Sequence, residues 1–250
     1  MAPSLEIFVP DALWLRDYVV SLGGARINAR MTVIQLRSGE ILIHSPSVFD
    51  EAVAAEVAAL GPVVAIIAPG NFHWLHVRSC QQAFPQAVTY ICPGVEKRAK
   101  RLNFDEVLGD NAPALWAGEI SQVSLQGTRV MREVAFFHHA SKTLILVDLV
   151  ENVTAATPGT NWFLRSLFWT LGMWNTPSPA PEYRLGWGDK AIVRQCMMRI
   201  LEWDFERVIL SHGDLITRDA KRLIAHAWRE ILGRALPSTS IGGGSPPVAK

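Results

Sequence analysis

The chain has 250 residues, 49% of them apolar and 19% charged, with 24 Lys and Arg against 23 Asp and Glu. That composition supports one sizeable core and excludes general disorder, while a formal charge of +1 excludes a nucleic-acid binder relying on a broad basic field. Cys80, Cys92 and Cys196 are odd in number, widely spaced and without a C-x-x-C pair, which argues against a disulfide framework and for a reducing, cytoplasmic setting.

Met1 to Val9 has neither the basic start nor the apolar run of a signal peptide. Residues 31–36 and 41–44 are predicted strands joined through Ser38-Gly39 as a hairpin. Residues 50–60 carry Val53, Val57 and Leu60 at helical spacing and stop at Gly61-Pro62. The apolar run 63–68 reads as a strand buried on both faces. A helix over 76–84 and a strand over 88–91 complete an alternation that implies a layered α/β fold. Further on, strands are expected at 130–137 and 143–147, and an aromatic helix at 161–174 that is shorter than the roughly 20 residues of a membrane span. After a break at Pro177–Pro181 come a helix at 190–203, a short strand at 208–210 and a final helix at 218–232. The expected organisation is one domain over 1–236, with an aromatic helical insert at about 155–190 and a disordered tail at 237–250.

Three predicted strand ends carry polar residues. They are Asn71-Phe-His73-Trp-Leu-His76, Asp148, and Ser211-His212-Gly213-Asp214. Ligands of α/β sheets bind beyond the carboxyl ends of strands. His73, His76, Asp148 and His212 together make a nitrogen and oxygen set suited to zinc, or to iron or manganese. Each also has a plain reading, as a capping, turn or surface residue. His138 and His139 alternate along a strand, so only one of them can face a common site.

The spacing N-x-H-x-L-H at 71–76, L-I-L-V-D at 144–148 and V-I-L-S-H-G at 208–213 resembles the metallo-β-lactamase superfamily. Arg30-Met-Thr-Val33, Ile43-His-Ser-Pro46, Phe72-His73, Phe137-His138 and Ser211-His-Gly213 are similar to a branch known only as a domain of unknown function. The resemblance spans about residues 5–230. It implies a four-layer αββα sandwich with a site along one edge. It also implies departures: Asn71 stands where the first His belongs, Leu75 replaces the Asp, His44 stands where an Asp ends the first motif, and no His lies near 126–128. The expectation is therefore a reduced, mononuclear site on His73, His76, Asp148 and His212, with Asn71 and Asp148 as catalytic groups. Hydrolysis of a small apolar ester, thioester or lactone follows from it. Trp74, Trp162, Trp169 and Trp174 are expected to line the substrate pocket, the aromatic helix acting as a lid or as a homodimer face. The alternatives are a catalytically inactive binding module and a metal-free enzyme using the same pocket.

Overall fold

The computed structural model describes residues 4–22 and 25–233, so the expected tail lies outside the described residues. Strands β1 (Glu6–Val9), β2 (Leu13–Leu22), β3 (Ala25–Gln35), β4 (Ile41–His44), β5 (Val63–Ala68), β6 (Val88–Ile91) and β7 (Glu106–Val107) form one sheet in chain order. It is antiparallel from β1 to β4 and parallel from β4 to β7. A second sheet holds β8 (Ile120–Ser124), β9 (Val134–His138), β10 (Thr143–Leu146) and β11 (Arg207–Leu210), in the order β11-β10-β9-β8. The helices are α1 (Glu51–Ala58), α2 (Val77–Ala83), α3 (Val95–Arg98), α4 (Trp162–Thr170), α5 (Pro181–Leu185), α6 (Lys190–Glu202), α7 (Ala220–Ala227) and α8 (Arg229–Leu232). Two mixed sheets with flanking helices make the expected layered sandwich.

Strand alternation builds the layers. Val134, Phe136, Ile145 and Ile209 join Met31, Val33, Ile43 and Ile66 of the first sheet in one core. Their neighbours Ala135, Phe137, Leu144, Leu146 and Val208 face the other way, under Val193, Met197 and Ile200 of α6 and Ile224 of α7. Helix starts follow local chemistry: Asp50 caps α1 through the Val53 N–H, and Asp189 caps α6 through those of Ala191 and Ile192.

Several boundaries differ from the sequence reading. β2 and most of β3 were not foreseen, because Arg16, Asp17 and Arg30 interrupt their apolar pattern. In the fold Arg30 pairs with Asp17 across the two strands at 2.6 Å. β9 begins only at Val134, since the preceding residues bond to the turn after β5, Asn71 N–H to the Arg132 carbonyl and Val134 N–H to that of Pro69. The last helix divides at Trp228, which turns inward and donates its indole N–H to the Leu149 carbonyl at 2.9 Å. Pro181, expected only to break the chain, opens α5, a position where its missing N–H costs nothing.

One buried side chain ties the second sheet to the loop beyond it. The Glu133 carboxylate accepts the backbone N–H groups of Val147, Asp148 and Leu149, each at 2.7 Å. Glu133→Gln turns an amide NH2 towards at least one of these donors. We expect it to cost about 3 kcal/mol of stability, measured by urea unfolding. A loss within experimental error would show that the loop holds without it.

Candidate metal centre

The segments following β4, β5, β10 and β11 meet at one edge of the sandwich. His73 comes from the turn after β5, Asp148 follows β10, and His212 follows β11. His73 Nε2 lies 3.2 Å from Asp148 Oδ1, and His212 Nε2 lies 3.4 Å from the same oxygen. One donor atom from each of the three falls within 4.8 Å of the others. The outer ring nitrogens are engaged: His212 Nδ1 donates to the Asn28 carbonyl at 2.7 Å, and Ser45 Oγ lies 2.8 Å from His73 Nδ1. Such outer bonds fix ring orientation and leave Nε2 turned inward.

β3 holds the His212 loop. Arg30 donates to the carbonyls of Leu210 and Gly213, Ser211 Oγ donates to the Arg30 carbonyl, and the Gly213 N–H donates to Asn28 Oδ1. Gly213 has φ +90°, and a Cβ there would stand 2.2 Å from the Asn152 carbonyl oxygen. Only glycine fits.

Burial and charge set the protonation of the site. Burial alone would raise the Asp148 carboxyl, but His73 and the hydrogen bonds from both imidazoles hold it well below the usual carboxylate range. Burial would lower His212, yet the Asp148 hydrogen bond and charge, aided by Glu151 and the Asn28 carbonyl, lift it to about 9. Burial pushes Glu133 up to about 8, with Asp148 adding to the effect and the three backbone N–H groups opposing it. Burial likewise pushes Glu151 up to about 8, opposed by His212 and helped by Asp148 and Glu182.

His73, Asp148 and His212 form a group that can hold a metal ion. The donor set fits: two imidazoles with their outer nitrogens fixed, and one ionised carboxylate between them. A cavity of about 310 Å³ opens above them, walled by Val20, Ile27, Met131, Leu164, Leu167 and Phe168. Glu151 lines it too. Its side chain is only 6% exposed, and its Oε2 is a buried atom without a hydrogen-bond partner.

Other expected site residues sit elsewhere. His76 lines the cavity but stands outside the donor group, its ring edge-on to Tyr18 at 5.5 Å. Asn71, expected to face substrate, instead donates to the Val130 carbonyl and accepts the Arg132 N–H, so both ends of its amide brace the turn. None of Trp74, Trp162, Trp169 and Trp174 lines the cavity. Trp162 and Trp169 are 77% and 74% exposed, because α4 presents Leu164, Leu167 and Phe168 to the cavity and these two rings to the opposite side. Trp174 packs near Arg165, and Trp74 lies in a neighbouring groove. His44 is buried edge-on against Phe136, and His138 and His139 bond Ser141 and Ser121. Leu75 is exposed at the cavity rim. The sequence reading missed Glu133 and Glu151 as parts of the site. The one available signal for Glu133 was a carboxylate directly before the apolar run Val-Ala-Phe-Phe, and Glu151, three residues after Asp148, carried none.

The two mixed sheets with their flanking helices have the metallo-β-lactamase-like fold, with the donor group at its edge. Among solved structures it is similar to the metallo-β-lactamase of Pontibacter korlensis (TM-score 0.61, 11% identity, covering 92% of this chain and 100% of that one). It is likewise similar to FIM-1 of Pseudomonas aeruginosa in its mono-zinc form (0.63, 9%, 92% and 96%) and to the enzyme of Erythrobacter litoralis (0.63, 10%, 92% and 97%). At these identities the likeness is one of fold. Residues 10–167 match the family described as a domain of unknown function, DUF4336, and the chain belongs to it. His73 and Asp148 fall inside that match and His212 beyond it. No curated protein matches the sequence.

A metal ion must displace the proton that His212 holds up to about 9. Zinc affinity, measured by competition with a chromophoric chelator, is therefore expected to rise by up to about tenfold per pH unit from neutrality towards that value. Affinity independent of pH over that range would remove His212 from the donor set.

Proposed function

We propose that the protein is a metal-dependent hydrolase of a small apolar ester, thioester or lactone, holding one divalent ion on His73, Asp148 and His212. Zinc suits this nitrogen and oxygen set first, iron or manganese after it. The observation that carries the reading is the convergence of three donor atoms at an apolar cavity. When bound, the ion supplies Lewis acidity, lowering the pKa of water towards about 7 and polarising a carbonyl.

The chain's own residues do the rest. Leu164, Leu167 and Phe168 hold an apolar body and exclude water from it. Glu151 lines the cavity, and burial pushes its carboxyl up to about 8, so it is the group we assign to protonate a departing alcohol or thiol. Asp148 stays ionised between the imidazoles and holds both rings. The three cysteines are buried and free, which suits a cytoplasmic protein, and no helix among the described residues is long and apolar enough to cross a membrane. A second reading, an inactive binding module, draws support from Leu75 and Asn71, which place no metal donor at two positions of the superfamily motif.

Elemental analysis of protein purified without chelator or polyhistidine tag is expected to give about one ion per chain, and His212→Ala and Asp148→Ala to lose it together with turnover of p-nitrophenyl esters. Glu151→Gln should keep the metal while turnover falls by about 100-fold or more. Metal content unchanged in both alanine variants would sink the hydrolase reading in favour of the binding module.

A further inference from the structure

Beside the mouth of the cavity lies a second depression, lined by Trp74, Leu75, Arg78, Arg98, Lys100 and Arg101. Leu75 lines both hollows, and Phe72, another cavity residue, carries the Arg98 guanidinium 4.1 Å from its ring centre. The basic groove and the apolar cavity thus adjoin at Phe72 and Leu75. Arg78, Arg98, Lys100 and Arg101 are all exposed, and none forms an ion pair among the described residues. Arg78 Nη2 donates to the Arg101 carbonyl at 2.8 Å and so braces the segment. Nearby acids are engaged elsewhere: Glu96 accepts the Gly94 N–H and Asp105 that of Thr89.

The chain as a whole is nearly neutral, so this concentration of positive charge is local. Clustered like charges repel, and they favour an anion that neutralises them. The cavity lining holds no Lys or Arg, and Asp148 and Glu182 lie along it. A ligand with an apolar body and an acidic end would therefore lie one way round, its body on Leu164, Leu167 and Phe168 and its charge outward.

We propose that the ligand is an anionic amphiphile, a small molecule whose oxyanion group is held by Arg98, Lys100 and Arg101 while its apolar part fills the cavity. That this ligand is also the substrate rests on the hydrolase reading above; its binding does not.

The test is calorimetric titration with octyl sulfate and octyl glucoside, probes of equal chain length that differ in charge. At low salt octyl sulfate is expected to bind about tenfold more tightly, and the difference to vanish at high salt and in an Arg98→Gln/Lys100→Gln/Arg101→Gln variant. Should that variant lose its melting transition, the single exposed change Lys100→Glu reads the same way. Equal affinity for the two probes, or an unchanged preference in the variants, overturns the proposal. So does a variant that fails to sediment with phosphatidylglycerol vesicles yet keeps its octyl sulfate affinity, since the groove would then face a membrane. Octyl sulfate binding in a protein that hydrolyses no ester would leave the groove standing and remove the hydrolase.

Discussion

A carboxyl group taken out of water costs stability unless hydrogen-bond donors replace its hydration. Glu133 meets that requirement with three main-chain N–H groups, all from the segment that follows β10. The same segment carries Asp148, so the bonds that make the burial of one carboxyl group tolerable also place the next. Asp148 in turn faces both imidazoles, and each imidazole is fixed from behind by β3 or by the residue after β4. The donor group is therefore held by four separate stretches of main chain, none of which is a long free loop.

How far this was legible from sequence depends on which interactions are local. The run 63–68 announces a central strand because burial on both faces leaves no polar residue in it. β2 and β3 are hidden for the opposite reason: their charges are satisfied by each other across the ladder, which a one-dimensional pattern does not display. His73, Asp148 and His212 stand out as polar residues just beyond apolar strands. The spacing of His73 and His76 suggested a pair, but that turn sends the second ring to Tyr18. Glu151 was illegible because nothing in its neighbours tells how deeply a carboxyl will be buried. α4 is apolar on both sides, and the sequence alone does not say which side meets the cavity.

Electrostatically the site is a cluster of carboxyl groups seeking positive charge. Asp148 raises the proton affinity of both Glu133 and Glu151, and the proton on His212 supplies part of the compensation. A divalent ion between the same donors would supply more of it, which links ion uptake to proton release. This chain shares its fold with metallo-β-lactamases at about a tenth sequence identity. Such a likeness follows from a core specified by alternating apolar faces, which many sequences satisfy.

α4 contributes three side chains to the cavity wall and none to the donor group. Its other face carries Trp162 and Trp169 into solvent. The cavity wall and the donor group are consequently encoded in separate pieces of chain. Mutational drift at Leu164, Leu167 or Phe168 can change which molecules enter while the strand-end residues stay as they are. An architecture divided in this way gives a lineage room to exchange one ligand for another without first dismantling its donor group.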